Sequence, residues 1–230
     1  MEIIGFEKLS LVDFDTHTAC TLFTAGCNFR CPFCHNGDLV INPTEFQRVT
    51  DDDIFGYLNK RKGLIDAVVI TGGEPTLQKD LPEFAKRIKD LGFAVKLDTN
   101  GTNPEMLKRL VEEKLIDYVA MDVKSSKEGY QKAIGLKGFP SKVAESVDYL
   151  KTNAIDYEFR ITLVDELITL SDIQQMADWL KNSKIIVLQR FVERDGCIKK
   201  GLNEVAKEKA EEYAKVFEKA NIKVKLRNYD

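Results

Sequence analysis

The sequence predicts an α/β protein, a partial (β/α)6 barrel with an additional C-terminal strand, and three observations carry that prediction. Short β-branched or apolar runs alternate with longer stretches of helical period, as repeated βα units on a parallel sheet require. Capping residues stand where those helical stretches begin. The 230 residues are 43% hydrophobic and 31% charged, enough apolar material for one substantial core. A single domain over 1–230 is therefore expected, with 1–19 as an extension or hairpin, 20–191 as the barrel core and 192–230 as a closing helix and strand.

Taken in order, Ile3, Ile4 and Phe6 followed by Leu9, Leu11 and Val12 suggest a small hairpin beside the first barrel strand. The strand candidates are Cys20 to Thr24, Ala67 to Thr71, Ala94 to Leu97, Tyr118 to Met121, Tyr157 to Val164 and Ile185 to Arg190. Leu81, Phe84, Ala85, Ile88 and Leu91 stripe one face of a helix between the second and third of these. Thr50 with Asp53, and Ser171 with Gln174, offer a capping oxygen and a partner three residues on, and Asn103-Pro104 offers a cap and a first-turn proline. A last helix from about Asn203 to Ala220, with Ala210, Tyr213, Ala214 and Phe217 on one side, leads into a closing strand at Ile222 to Leu226. No internal repeat, low-complexity segment or Pro/Gly/Ser-rich linker divides the chain.

Net charge is -3, with Lys and Arg spread along the chain, so no electrostatic footprint for nucleic acid is present. The N-terminus lacks a basic segment followed by a long apolar one, and no apolar run approaches a membrane span, so a cytoplasmic protein with no membrane partner is expected. Five cysteines, three of them clustered, suit metal ligation in a reducing compartment better than disulfides.

The cluster is Gly26-Cys27-Asn28-Phe29-Arg30-Cys31-Pro32-Phe33-Cys34-His35-Asn36. It follows a predicted strand, at the C-terminal edge of the sheet where α/β folds bind ligands. Three soft thiolates can each take one iron of a cubane and leave the fourth iron without a protein ligand, a place for a substrate to chelate. Rival readings are haem attachment at Cys31-Pro32-Phe33-Cys34-His35, which belongs with export; a thioredoxin-like pair, which leaves Cys27 without a role; a structural zinc site on Cys27, Cys31, Cys34 and His35, which asks adjacent residues to turn onto one ion; and buried free thiols. Cys20 reads as a small core residue and His17 as structural or solvated. Cys197 is either a reactive or cluster-ligating thiol or neither.

Cys27-x-x-x-Cys31-x-Phe33-Cys34, with Thr71-Gly72-Gly73-Glu74-Pro75 some forty residues on, resembles the radical S-adenosylmethionine (radical SAM) superfamily. The likeness continues through Leu97-Asp98-Thr99-Asn100-Gly101, Met121-Asp122-Val123-Lys124 and Tyr157-Glu158-Phe159-Arg160. That run is similar to glycyl-radical-enzyme activating enzymes, most of all to anaerobic ribonucleoside-triphosphate reductase activating proteins. The resemblance implies a radical SAM partial barrel, a 4Fe-4S cluster on Cys27, Cys31 and Cys34, and reductive cleavage of S-adenosylmethionine to methionine and a 5′-deoxyadenosyl radical. It implies abstraction of hydrogen from a glycine Cα in a partner glycyl radical enzyme, and a flavodoxin- or ferredoxin-type electron donor.

Within that resemblance, Gly72 and Gly73 let backbone carbonyls approach the methionine amine beside the Glu74 carboxylate, although Gly-Gly after a strand is also a plain turn. Phe33 offers an aromatic face to the adenine, or packs the loop. His35 and Asn36 follow the last ligand and either bond the nucleoside or cap a turn; Asn100 is carried over as a cofactor-binding position. Asp98 and Asp122, at strand ends, suit ribose hydroxyls or a cation, and the resemblance favours a monovalent cation at Asp98, Thr99 and Asp122. Lys124 lies on the same strand face as Asp122 and can pair with it; Arg160 is a further candidate, or a surface charge. Residues 35–66 hold no cysteine, so one cluster is expected, and Val164-Asp165-Glu166-Leu167 stands where the resemblance leads one to expect a proline-glycine turn. Three functions compete: an activase, a radical SAM enzyme acting on a small molecule, a peptide or a different glycyl radical enzyme, and a non-catalytic metal module that senses redox state.

Overall fold

The computed structural model describes residues 1–229, and in it the alternating pattern becomes eight strands and eight α-helices among those residues. The chain divides into two compact units, Met1–Asn28 with Asp38–Ala120, and Phe29–Gly37 with Met121–Asp230.

The first unit carries β1 (Ile3–Ser10), β2 (Ala19–Thr24), most of α1 (Gly37–Ile41), α2 (Asp51–Lys60), β3 (Ala67–Gly72), α3 (Leu81–Asp90), β4 (Ala94–Thr99) and α4 (Pro104–Glu112). β5 (Tyr118–Asp122) begins in this unit and ends in the second. β2, β3 and β4 are parallel, with Ala67 opposite both Ala19 and Ala94. This register sets Thr24 opposite Gly72, so the cysteine loop and the Gly-Gly turn leave the sheet at one level. α3 buries Leu81, Phe84, Ala85 and Ile88 of the predicted stripe, whose fifth member, Leu91, is the C-cap and only partly buried, and each large apolar side chain so buried contributes roughly 1.5–3 kcal/mol. α2 and α4 start where the caps predicted: Thr50 accepts from the Asp53 N–H and Asn103 from the Met106 N–H.

The N-terminal segment differs from the expected hairpin. It supplies one strand, β1, which pairs antiparallel with β2 itself. Leu11 and Val12 lie in the connection and are exposed, while Phe14 turns inward against Ala19, Ala67 and Val69.

In the second unit are α5 (Tyr130–Ile134), α6 (Ser141–Thr152), β6 (Asp156–Leu163), α7 (Leu170–Trp179), β7 (Ile185–Arg190), α8 (Lys207–Lys219) and β8 (Lys223–Arg227). β6, β7 and β8 are parallel. α8 buries the predicted Ala210, Tyr213, Ala214 and Phe217. Two helix starts need correction. α7 is capped by Thr169, not Ser171, through a reciprocal box with Asp172. α8 begins at Lys207, not near Asn203, because residues 203 and 204 are held elsewhere: Val164 bridges Glu204, and the Asn203 N–H and side-chain amide donate to the Glu166 carboxylate. The departure at Val164-Asp165-Glu166-Leu167 is thus a docking segment for residues 203–209, completed by an Asp165–Lys209 ion pair at 2.6 Å.

Candidate cofactor and cluster site

In the first unit the motif residues converge on the level that the register defines. Gly72 has φ +111°, and a Cβ there would meet the Thr24 N at 2.3 Å; a Cβ on Gly73 would lie 1.7 Å from the Gly26 carbonyl oxygen. The Gly-Gly pair is therefore required by close backbone approach to the cysteine loop. Gly73 N–H donates to the Thr24 carbonyl at 2.9 Å and Glu74 N–H to the Gly26 carbonyl at 2.8 Å, locking the two loops together.

Glu74 is buried, and its carboxylate accepts from the Thr76 N–H (3.1 Å), the Thr76 hydroxyl (2.5 Å), the Thr99 hydroxyl (2.7 Å) and the Asn100 N–H (2.6 Å). Burial pushes its pKa up against these donors, which hold it down. The side chain thus ties the end of β3 to the end of β4. Asp98 faces Lys96 at 3.5 Å, and Lys96 is itself buried, its ammonium 5.9 Å from the ring centres of both Phe14 and Tyr118 while donating to the Asp13 carbonyl. Beyond β4, Asn100 reaches back to the cysteine loop, donating to the Asn28 side-chain carbonyl at 2.9 Å and toward the Cys27 sulfur at 3.8 Å.

The second unit holds Cys31, Phe33, Cys34, His35 and Asn36. Gly135 (φ +67°) lets the Arg30 carbonyl oxygen come to 2.3 Å from where a Cβ would stand, and the Arg30 N–H donates to Ile134 at 2.9 Å. Cys34 N–H closes a turn onto the Cys31 carbonyl at 3.0 Å, and Lys199 N–H donates to Pro32 at 2.8 Å. Phe33 is buried, with the Lys124 ammonium 5.7 Å from its ring centre. His35 stacks on Phe191 at 5.8 Å; burial and the neighbouring Arg194 charge lower its pKa.

Asp122 is the charge centre of this unit, bonded by Lys124 at 2.9 Å and by Arg160 at 2.8 Å. Burial alone would raise its pKa; the two cations overcome that and hold it down at about 2. Burial opposes the Lys124 charge in turn, but Asp122 and the nearby Cys31 and Cys34 push its pKa up. Both Asp122 oxygens therefore already face protein cations, where the resemblance led us to expect a monovalent ion. Arg160 is an ion-pair partner here, not a solvated charge. Cys34 is raised by burial, and Lys124 opposes the rise.

The donor chemistry fits a 4Fe-4S cluster. Cys27, Cys31 and Cys34 form no disulfide, Cys27 is approached by an amide N–H, and Cys31 and Cys34 lie within the field of Lys124. Among the described residues no three His, Cys, Asp or Glu side chains crowd onto a point that one ion could fill, and a cubane does not ask for that, since each thiolate binds its own iron. Cys20 is buried in β2, its thiol pushed up to about 12 by burial, as expected of a core residue. Cys197 is buried and accepts from the Arg194 N–H at 3.4 Å. Asn28 and Thr102 escaped the sequence reading; the one available signal was a polar side chain directly after Cys27 and another two residues after Asn100.

The βα succession and the cysteine loop define a class of enzyme. Residues 21–180 match the family model for the Radical SAM superfamily, and the chain belongs to that superfamily. It is accordingly an enzyme, and its cofactors are a 4Fe-4S cluster and S-adenosylmethionine, which removes the non-catalytic reading. Two curated proteins of Methanocaldococcus jannaschii, each described as a "Putative glycyl-radical enzyme activating enzyme", are similar to it. One is 36% identical over 84% of this chain and 81% of its own length, the other 31% identical over 70% of this chain and 62% of its own length. The chain thus spans about three fifths of the second relative. A crystallised domain of a pyruvate-formate lyase-activating enzyme from Bacteroides vulgatus shares the fold, with a TM-score of 0.58, 17% identity, and coverage of 70% of this chain and 98% of that one. No helix among the described residues is long and apolar enough to cross a membrane.

Proposed function

We propose that this enzyme activates a glycyl radical enzyme, and that its partner is an anaerobic ribonucleotide reductase. The observation that carries the activase reading is the 36% identity over 84% of the chain to a relative described as such an activating enzyme. The reductase reading rests on the likeness of the runs around Asp98, Asp122 and Arg160. When bound, the cluster supplies the electron that cleaves S-adenosylmethionine and so the radical that takes hydrogen from glycine.

This chain's residues have separable tasks. Cys27, Cys31 and Cys34 would ligate the cluster through three of its irons. Gly72 and Gly73 would offer backbone carbonyls to the methionine amine, with Glu74 fixing the loop that carries them. Phe33 would offer its face to the adenine and exclude water, and His35, Asn36 and Asn100 would line the cofactor. Asp122 holds Lys124 and Arg160 so that a fixed positive charge is available to the methionine carboxylate. Asp98 and Thr99 complete the strand-end polar set.

The test is electron paramagnetic resonance on an anaerobic mixture of reconstituted protein, reductant, S-adenosylmethionine and the reductase. A glycine-centred doublet on the reductase is expected. Formation of 5′-deoxyadenosine without that doublet would overturn the partner assignment, and would favour a small molecule, a peptide or a different glycyl radical enzyme as substrate.

A further inference from the structure

We propose that Asn100 is a positioning residue that hydrogen-bonds the Cys27 thiolate and raises the reduction potential of the cluster. The inference rests on the cluster reading above, and every residue it uses belongs to the first unit.

The orientation of the Asn100 amide is fixed by its neighbours. Thr102 N–H can only donate, and it lies 3.0 Å from the atom that must therefore be the Asn100 oxygen, which also accepts the Thr102 hydroxyl at 2.7 Å. Asn28 Nδ2 donates to that same hydroxyl oxygen at 2.8 Å, which turns the Asn28 carbonyl to receive Asn100 Nδ2 at 2.9 Å. The ring of bonds is closed. Asn100 Nδ2 carries two hydrogens; one is used on Asn28, and the other faces the Cys27 sulfur at 3.8 Å. The Asn100 backbone is pinned as well, its N–H donating to the buried Glu74 carboxylate at 2.6 Å. Asn100 is only 6% exposed, so water does not readily replace it.

A cysteine on iron has lost its proton and can only accept. A donor held against that sulfur stabilises the more negative, reduced cluster, and such bonds are one of the levers by which proteins set cluster potentials. Asn28 does not supply the donor, because it is its carbonyl oxygen that lies 3.9 Å from the Cys27 sulfur, while its NH2 bonds Thr102. The geometry assigns that part to Asn100 alone among the three side chains of the ring.

The experiment is a redox titration of the reconstituted holoenzyme, followed by the paramagnetic signal of the reduced cluster. Asn100→Ala should lower the one-electron reduction equilibrium constant about tenfold, a shift of about 59 mV to more negative potential. Asn100→Asp, which turns an acceptor toward the sulfur, should lower it further. Thr102→Val loosens the ring but keeps the donor, and should stay within about threefold of wild type, under ~30 mV. An intact cluster at the wild-type potential in Asn100→Ala would overturn the proposal, as would an equal shift in Thr102→Val. Should the Asn100 variants fail to hold a cluster, wild-type protein with 15N in its asparagine side chains answers the question by pulsed resonance. A 15N coupling to the reduced cluster supports the bond, and its absence refutes it. Wild-type protein that takes up no iron would defeat the cluster reading itself, an outcome distinct from an unmoved potential.

Discussion

Replacing Glu74 by glutamine separates a loop-locking carboxylate from one that is free to hold the methionine amine. Two of its four donors are backbone N–H groups that cannot reverse, Thr76 on one oxygen and Asn100 on the other. The hydroxyls of Thr76 and Thr99 can rotate and accept. A glutamine has one carbonyl oxygen, so whichever way the amide turns, its NH2 faces a buried N–H. Leaving one such donor unsatisfied costs about 1–3 kcal/mol, and the lost charge assistance adds to it. A destabilisation of about 3 kcal/mol follows, which for a chain of this size lowers the unfolding midpoint by roughly 6–12 °C. The assay is thermal unfolding of the apoprotein, paired with S-adenosylmethionine binding to the reconstituted form. A midpoint displaced by less than about 2 °C together with a lost affinity would refute the reasoning and return Glu74 to direct contact with the amine.

Three further outcomes follow from the same geometry. Gly73→Ala puts a Cβ 1.7 Å from the Gly26 carbonyl and should cost more than about 3 kcal/mol in urea unfolding. Gly92→Ala, at φ +93° but facing open space, should cost only about 1–2 kcal/mol; equal losses would contradict the close-approach argument. Asp172→Asn should remove about 1–2 kcal/mol at neutral pH, because the carboxylate accepts from Ser126 and caps α7 with Thr169. Burial works against those bonds, but they hold the Asp172 pKa below its ordinary 3.8; its stabilisation is therefore present above that value and lost as pH falls through the folded pKa. The wild-type and variant stability curves should converge in acid, and parallel curves would contradict the assignment. Because Lys124 and Arg160 already occupy Asp122, affinity for S-adenosylmethionine should agree within about twofold in sodium, potassium and tetramethylammonium chloride; a tenfold dependence, about 1.4 kcal/mol, would restore an inorganic cation to that carboxylate.

What was legible in the sequence had a local cause. Thr50 and Asn103 announce α2 and α4 because a cap and its target are three residues apart, and the stripe of α3 is read from one helix alone. Thr169 and Asp172 use that same spacing, yet Ser171 and Gln174 present it two residues later, and only the observed bonds decide between them. The start of α8 was misplaced for a reason outside its own segment, since Asn203 and Glu204 are held by residues 164–166. The same limit applies at the site. The cysteine spacing and Gly-Gly run are contiguous and could be recognised, but the four donors on Glu74 come partly from a strand some twenty-five residues away. The closed ring of Asn28, Asn100 and Thr102 likewise joins segments more than seventy residues apart.

If Cys27, Cys31 and Cys34 hold three irons of the cluster as proposed, the fourth iron is left for S-adenosylmethionine. Mössbauer spectra of 57Fe-loaded protein, recorded with and without S-adenosylmethionine, address this directly. One iron in four should change its isomer shift and quadrupole splitting when the cofactor is added. Four irons that stay indistinguishable and unmoved would contradict the account.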